Sequence, residues 1–124
     1  MRFLLVCLGG ATGTGARYLL GGWAQRTWGV GFPYGTLIIN AVGSFLLVIV
    51  MYFSLERGAL SPDARVVLGT GVMGGFTTYS TFNYETFRLI QQGSFAVAAL
   101  YLAATVAGCL GAGALGLFLA RALG

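Results

Sequence analysis

The chain has 124 residues, of which 57% are hydrophobic and only 8% charged, with a mean hydropathy of +0.85. A soluble domain carries roughly a quarter charged residues, so the composition excludes an ordinary water-soluble globule and points to a membrane protein. The net charge of +4 comes from seven Arg and no Lys, set mostly near the ends of apolar stretches, and forms no clustered stripe of the kind a nucleic-acid partner requires.

Each membrane span needs about 20 mostly apolar residues, which leaves room for four spans and short loops in a single transmembrane domain, 1–124. The spans are expected over 3–24, 34–55, 63–89 and 95–119, the third broken at 74–78. Four thin, glycine-rich helices enclose little interior, so an oligomer is expected.

The first span opens on MRFLLVCLGGATGTGA, which mimics a secretory signal. Apolar and small residues continue past Arg17 through YLLGGWA, long enough to span, so retention is expected over cleavage. Gly9 and Gly13 form a GxxxG that lets helix backbones approach closely. Arg17 is costly near hydrocarbon unless it snorkels, finds a hydrogen bond, or draws anions into a vestibule. Gln25–Pro33 is a loop, with Gly, Pro and an interfacial Trp marking a membrane edge.

The second span carries GTLIINAVGSF, with Asn40 the one strongly polar residue near its middle. A membrane amide must be satisfied. It either bonds another helix or aims its N–H donors at an anion. In the next loop, Ser61-Pro62-Asp63 reads as a helix start, Ser as N-cap and Pro at the first position. The third span then meets GVMGGFTTYSTFNYETF at Gly71–Phe87. The last span sets Tyr101, Thr105 and Cys109 on one stripe and Gly108, Ala112 and Gly116 on another suited to tight packing. With no His and no CxxC, Cys7 and Cys109 are packing thiols, and no soft-ligand metal cluster is expected.

So many Gly and Thr make Gly74–Thr78 a poor continuous helix. A helix broken at membrane depth is a candidate ion or substrate site. Gly74 and Gly75 allow carbonyls to turn away from the helix, and such oxygens suit a hard cation. Thr77, Thr78, Ser80 and Thr81 offer hydroxyls to an anion or to the freed backbone. Tyr79 and Phe82 share a face once the helix resumes. They either pack or present the positive ring edge to an anion.

Arg2, Arg57, Arg65 and Arg121 fall on one side of such a fold, and Arg26 and Arg88 on the other with Arg17 near it. So small a bias does not fix orientation and permits an antiparallel dimer.

GGFTTYSTF at Gly74–Phe82 resembles the GG-x-TT-F-ST-F signature of the Fluc (CrcB-like) fluoride channels. The likeness extends to GGATGTGARY at Gly9–Tyr18 and GTLIINAVGSF at Gly35–Phe45, covering nearly the whole chain. The resemblance implies an all-α membrane protein whose four transmembrane helices, the third broken, form an antiparallel, dual-topology homodimer with two pores at its interface. It implies a structural Na⁺ held by the backbone carbonyls of Gly74 and Thr77 from each subunit. The fluoride pathway would map to Asn40, Tyr79 and Phe82, with Ser80 and Thr81 between the aromatics and a polar track at Tyr101 and Thr105. Arg17 and Glu85 match the family's arginine and acidic positions, as vestibule or structural residues. Tyr79 departs from the usual Phe, and Cys109 is a weaker donor than a hydroxyl.

The function this implies is a multi-pass fluoride channel of the bacterial inner membrane. It would let trapped F⁻ leave the cytoplasm passively and so reduce its toxicity. No enzyme is expected, since no nucleophile–base pair or metal cluster is visible, and no organic cofactor. The competing reading is a small dual-topology, proton-coupled cation exporter, which wants an acidic residue deep in a span. The first two spans have none and Glu85 lies near a helix end. A non-transporting assembly subunit would explain the glycine stripes and leave the hydroxyl–aromatic run without a purpose.

Overall fold

Three helices are long and apolar enough to cross a membrane: Arg2–Trp28, Tyr34–Glu56 and Phe95–Leu123. They belong to a computed structural model that describes residues Met1–Gly124, all helix and turn with no strand. The first is α1 (Arg2–Trp28). The second is α2 (Tyr34–Met51), extended by a π-helical turn at Tyr52–Glu56. Between it and the last run α3 (Pro62–Val66), a π-helical segment at Val67–Met73, α4 (Gly74–Phe76) and α5 (Tyr79–Gln91). The last is α6 (Phe95–Leu123).

The loops are short and turn on glycine. Gly29, Gly58 and Gly93 have φ of 75°, 63° and 79°, a left-handed conformation that costs a glycine little and lets a helix stop abruptly. At the start of α3, Pro62 occupies the first turn and the Ser61 side chain accepts the Ala64 N–H at 3.1 Å, a capping arrangement that satisfies an otherwise orphan donor. Arg2 on α1 pairs with Asp63 on α3, its Nε donating to Oδ1 at 2.7 Å. That pair ties the outer ends of the two segments together.

Between them α1 runs beside the π-helical segment and α4. The approach is too close for side chains. A Cβ on Gly13 would overlap the Val72 carbonyl oxygen, and one on Gly75 would overlap that of Gly10. In hydrocarbon, where apolar burial gives no drive, such backbone-to-backbone packing is what holds helices together. The other main contact sets α2 along α6.

Few large side chains are enclosed by this chain alone. Phe82, Leu89, Ala98 and Tyr101 form a cluster between α5 and α6, while Leu8, Leu110 and Phe118 stay exposed. Apolar surface on that scale suits lipid or another copy rather than water.

Candidate functional site

The helical path runs through Gly74–Phe76 and is interrupted only at Thr77 and Thr78, a narrower stretch than glycine and threonine content suggests. Thr77 has φ −84°, ψ 158° and Thr78 has φ −153°, ψ 114°, both extended. Thr78 starts α5 as its N-cap. Its Oγ1 accepts the Thr81 N–H at 3.2 Å and donates to Thr81 Oγ1 at 3.0 Å. That is the usual work of a threonine before a helix.

Two neighbouring helices hold the interruption. From α2, Asn40 takes both backbone groups of Thr78: its Oδ1 accepts the Thr78 N–H at 2.8 Å, and its Nδ2 donates to the Thr78 carbonyl at 3.0 Å. One turn along, Gly43 leaves the space that the Thr77 methyl fills. From α1, Arg17 Nε donates to the Gly75 carbonyl at 3.0 Å and Thr14 Oγ1 stands 3.4 Å from it. Arg17 is therefore a hydrogen-bonding residue of the interruption. Asn40 is satisfied between helices, with its second Nδ2 hydrogen not engaged there.

These contacts sort the backbone groups. In an unbroken helix the Gly74 carbonyl would accept the Thr78 N–H and the Thr77 carbonyl the Thr81 N–H. Here those donors go to Asn40 and to Thr78 Oγ1, and the Gly74 and Thr77 carbonyls receive no hydrogen bond. Gly74 is exposed and Thr77 half-buried. On the other side of the interruption, the Tyr79 and Ser80 N–H groups at the start of the 13-residue α5 find no acceptor. A helix C-terminus rich in bare carbonyls thus stands two residues from a helix N-terminus rich in bare N–H groups. The first attracts cations and the second anions.

The aromatic residues part company. Tyr79 is 77% exposed and Phe82 only 6%, although their rings meet edge-on with centroids 5.7 Å apart. Phe82 also meets Tyr101 at 5.0 Å, and Phe32 closes on Tyr101 from another side at 5.5 Å. The fully buried Tyr101 donates its hydroxyl to Glu85 Oε1 at 2.9 Å. One turn on, Thr105 is buried and its Oγ1 has no partner. Cys109 follows, half-buried in an apolar groove that also contains Ser44. Ser80 is exposed, its Oγ 3.4 Å from Thr78 Oγ1.

A cleft of about 1070 Å³ opens beside this assembly. Arg17, Arg26 and Arg88 line it against a single carboxylate, Glu85, and Thr78 and Thr81 line it too. Low-dielectric walls with an excess of one sign of charge raise the local concentration of the opposite ion. The geometry thus joins Arg17, Thr81 and Glu85 around the cleft and Phe82 with Tyr101 behind it. Tyr79, Ser80, Thr105 and Cys109 lie outside.

Sequence reasoning weighed Thr78 only as one hydroxyl among several, and did not single out Thr36 or Thr14. The Thr78-x-x-Thr81 spacing, the pattern of an N-cap, was the available signal for Thr78. Thr36, buried on α2 and lining the cleft, offered none.

The sequence model of the family described as CrcB-like protein, Camphor Resistance (CrcB) matches residues 4–117. The chain is also similar to curated proteins named fluoride-specific ion channel FluC. That of Anaeromyxobacter dehalogenans (strain 2CP-1) is 61% identical over 111 residues, covering 90% of this chain and 88% of that protein. Its counterpart in Sorangium cellulosum (strain So ce56) is 51% identical over 122 residues, covering 98% and 96%. One from Geobacter metallireducens is 46% identical over 123 residues, covering 99% of each chain.

Proposed function

The chain belongs to the CrcB-like family, and on that premise we propose that it is a fluoride-selective channel through which F⁻ leaves the cytoplasm passively. Fluoride enters acidified cells as neutral HF, ionises inside and is trapped until a pore opens a way out. Two copies inserted in opposite senses form an antiparallel homodimer in the inner membrane, with two pores at their interface.

The observation that carries this reading is the pair of opposite backbone ends at the interruption. A dehydrating anion needs N–H, O–H and ring-edge contacts. The bare N–H groups of Tyr79 and Ser80, the free Asn40 Nδ2 hydrogen and the Phe82 ring edge supply them within a few residues. Arg17, with the other two arginines of the cleft, gathers anions at the mouth. Glu85 holds the Tyr101 hydroxyl, while Thr81, Tyr101 and Thr105 continue the polar line. Several weak sites in series favour exit as much as entry.

The donor set also fits a structural Na⁺. The Gly74 and Thr77 carbonyls are hard oxygen ligands without hydrogen bonds, and the Gly74 face is exposed where a second copy would bring the same pair. When bound there, the ion supplies a fixed positive charge at the crossing of the two subunits. All remaining anion contacts come from the side chains and amides named above.

The test is anion efflux from liposomes carrying purified protein, followed with fluoride and chloride electrodes. Fast fluoride release without chloride is expected. A folded dimer that releases neither ion would overturn the reading and return the question to a cation exporter or an assembly subunit.

A further inference from the structure

Asn40 stands 38 residues before Thr78 in sequence, yet its amide forms with that residue the two-point pairing one strand makes with the next. The consequence is felt four residues earlier. Thr78 N–H is the donor that an α-helix would deliver to the Gly74 carbonyl. Held on Asn40 Oδ1 at 2.8 Å, it is not available, and the Gly74 oxygen stays bare. Nothing else at the interruption takes this role. Arg17 and Thr14 engage only the Gly75 carbonyl, and Thr77 N–H goes to Met73 O at 3.0 Å.

We infer that Asn40 is a positioning residue for the cation site: by capturing the Thr78 N–H it keeps the Gly74 carbonyl open to Na⁺. The inference rests on the sodium reading above and deepens it. It separates two properties of one amide. The acceptor Oδ1 governs the carbonyl and hence sodium; the donor Nδ2, with its spare hydrogen, governs the anion. A residue that merely fills space between helices would show no such separation.

The experiment measures thermal midpoints of the purified dimer in sodium chloride and in N-methyl-D-glucamine chloride. A cation that binds only the folded state raises the midpoint by mass action, so the difference between the two salts reports sodium binding whatever the absolute stability. The wild type and Asn40→Asp, which retains an acceptor for Thr78 N–H, are expected to show similar sodium-dependent rises. Asn40→Leu removes the acceptor and is expected to lose most of the rise; Asn40→Ala removes the same atom with less crowding and carries the test if the leucine variant does not fold. Fluoride efflux in Asn40→Asp is expected to fall at least about tenfold, since a carboxylate in the path repels the anion. A full sodium-dependent rise in Asn40→Leu or Asn40→Ala overturns the inference while leaving the sodium site standing. Loss of the rise in Asn40→Asp overturns it as well. A wild type indifferent to sodium overturns the sodium reading and the inference together, and leaves the efflux result to decide fluoride transport separately.

Discussion

Phe82 and Tyr101 meet edge to face across α5 and α6, with centroids 5.0 Å apart and planes at 68°. Both rings are buried in the cluster between those helices, so Phe82 is held in place by Tyr101 while its neighbour Tyr79 stays exposed. A ring fixed by its neighbours presents its edge at no cost in reordering.

Replacing that ring separates packing from transport. Phe82→Ile keeps apolar bulk and loses the positive edge. The lost aromatic pairing costs about 0.5–1.5 kcal/mol, too little to unfold the protein. Fluoride efflux is nevertheless expected to drop at least about tenfold, the consequence of about 1.4 kcal/mol lost along the path. Unchanged efflux would remove the aromatic edge from the mechanism.

Tyr79→Phe is expected to be mild. The side chain is 77% exposed, and its hydroxyl bonds nothing within the chain. Stability should change by no more than about 0.5 kcal/mol and fluoride efflux by less than about threefold. A larger change in flux at unchanged midpoint, read from the same liposome assay, would give the hydroxyl a direct part with the anion.

Tyr101→Phe removes the donor to Glu85 Oε1. A part-buried carboxylate left without its partner costs about 1–3 kcal/mol, so a fall of several degrees in the thermal midpoint is expected. Tyr101→Phe combined with Glu85→Gln should recover part of it, because the stranded charge is gone. No recovery in this double variant would mean that the hydroxyl serves something other than Glu85.

A pair of alanines on α1 tests the crossing with the third segment. At Gly13 an added Cβ runs into the Val72 carbonyl, whereas at Gly15 nothing lies within 4 Å. Gly13→Ala is expected to yield aggregated or poorly expressed protein by size exclusion, and Gly15→Ala to elute as the wild type. Equal elution would show that α1 can slide away without loss.

Much of the architecture was legible because membrane solvent simplifies the code. Long apolar runs give the three continuous helices, and Gly9-x-x-x-Gly13 marks the face of α1 that lies against the π-helical segment. Ser61-Pro62-Asp63 reads as a cap and is one. The family, too, was readable from short motifs, GGFTTYSTF foremost among them. What sequence could not supply was the partner of each polar group. Asn40 admits an interhelical bond or an anion contact on composition alone, and only folding brings it to Thr78, 38 positions on. Arg17 is the same case, reaching Gly75 O across 58 positions. The exposure difference between Tyr79 and Phe82 was hidden for another reason. Spacing puts them on one side of α5, while the α6 ring that covers only one of them arrives from Tyr101.

The backbone contact between Gly10 and Gly75 leaves no room for a side chain at Gly75, where a Cβ would run into the Gly10 carbonyl. When a bulky core residue grows, a neighbour can usually shrink to make room. Here each side has already reached the smallest residue there is. A genetic screen for second-site suppressors of Gly75→Ala should therefore return nothing at Gly10, and rescue, if it is obtained at all, must come from elements that let α1 move as a whole.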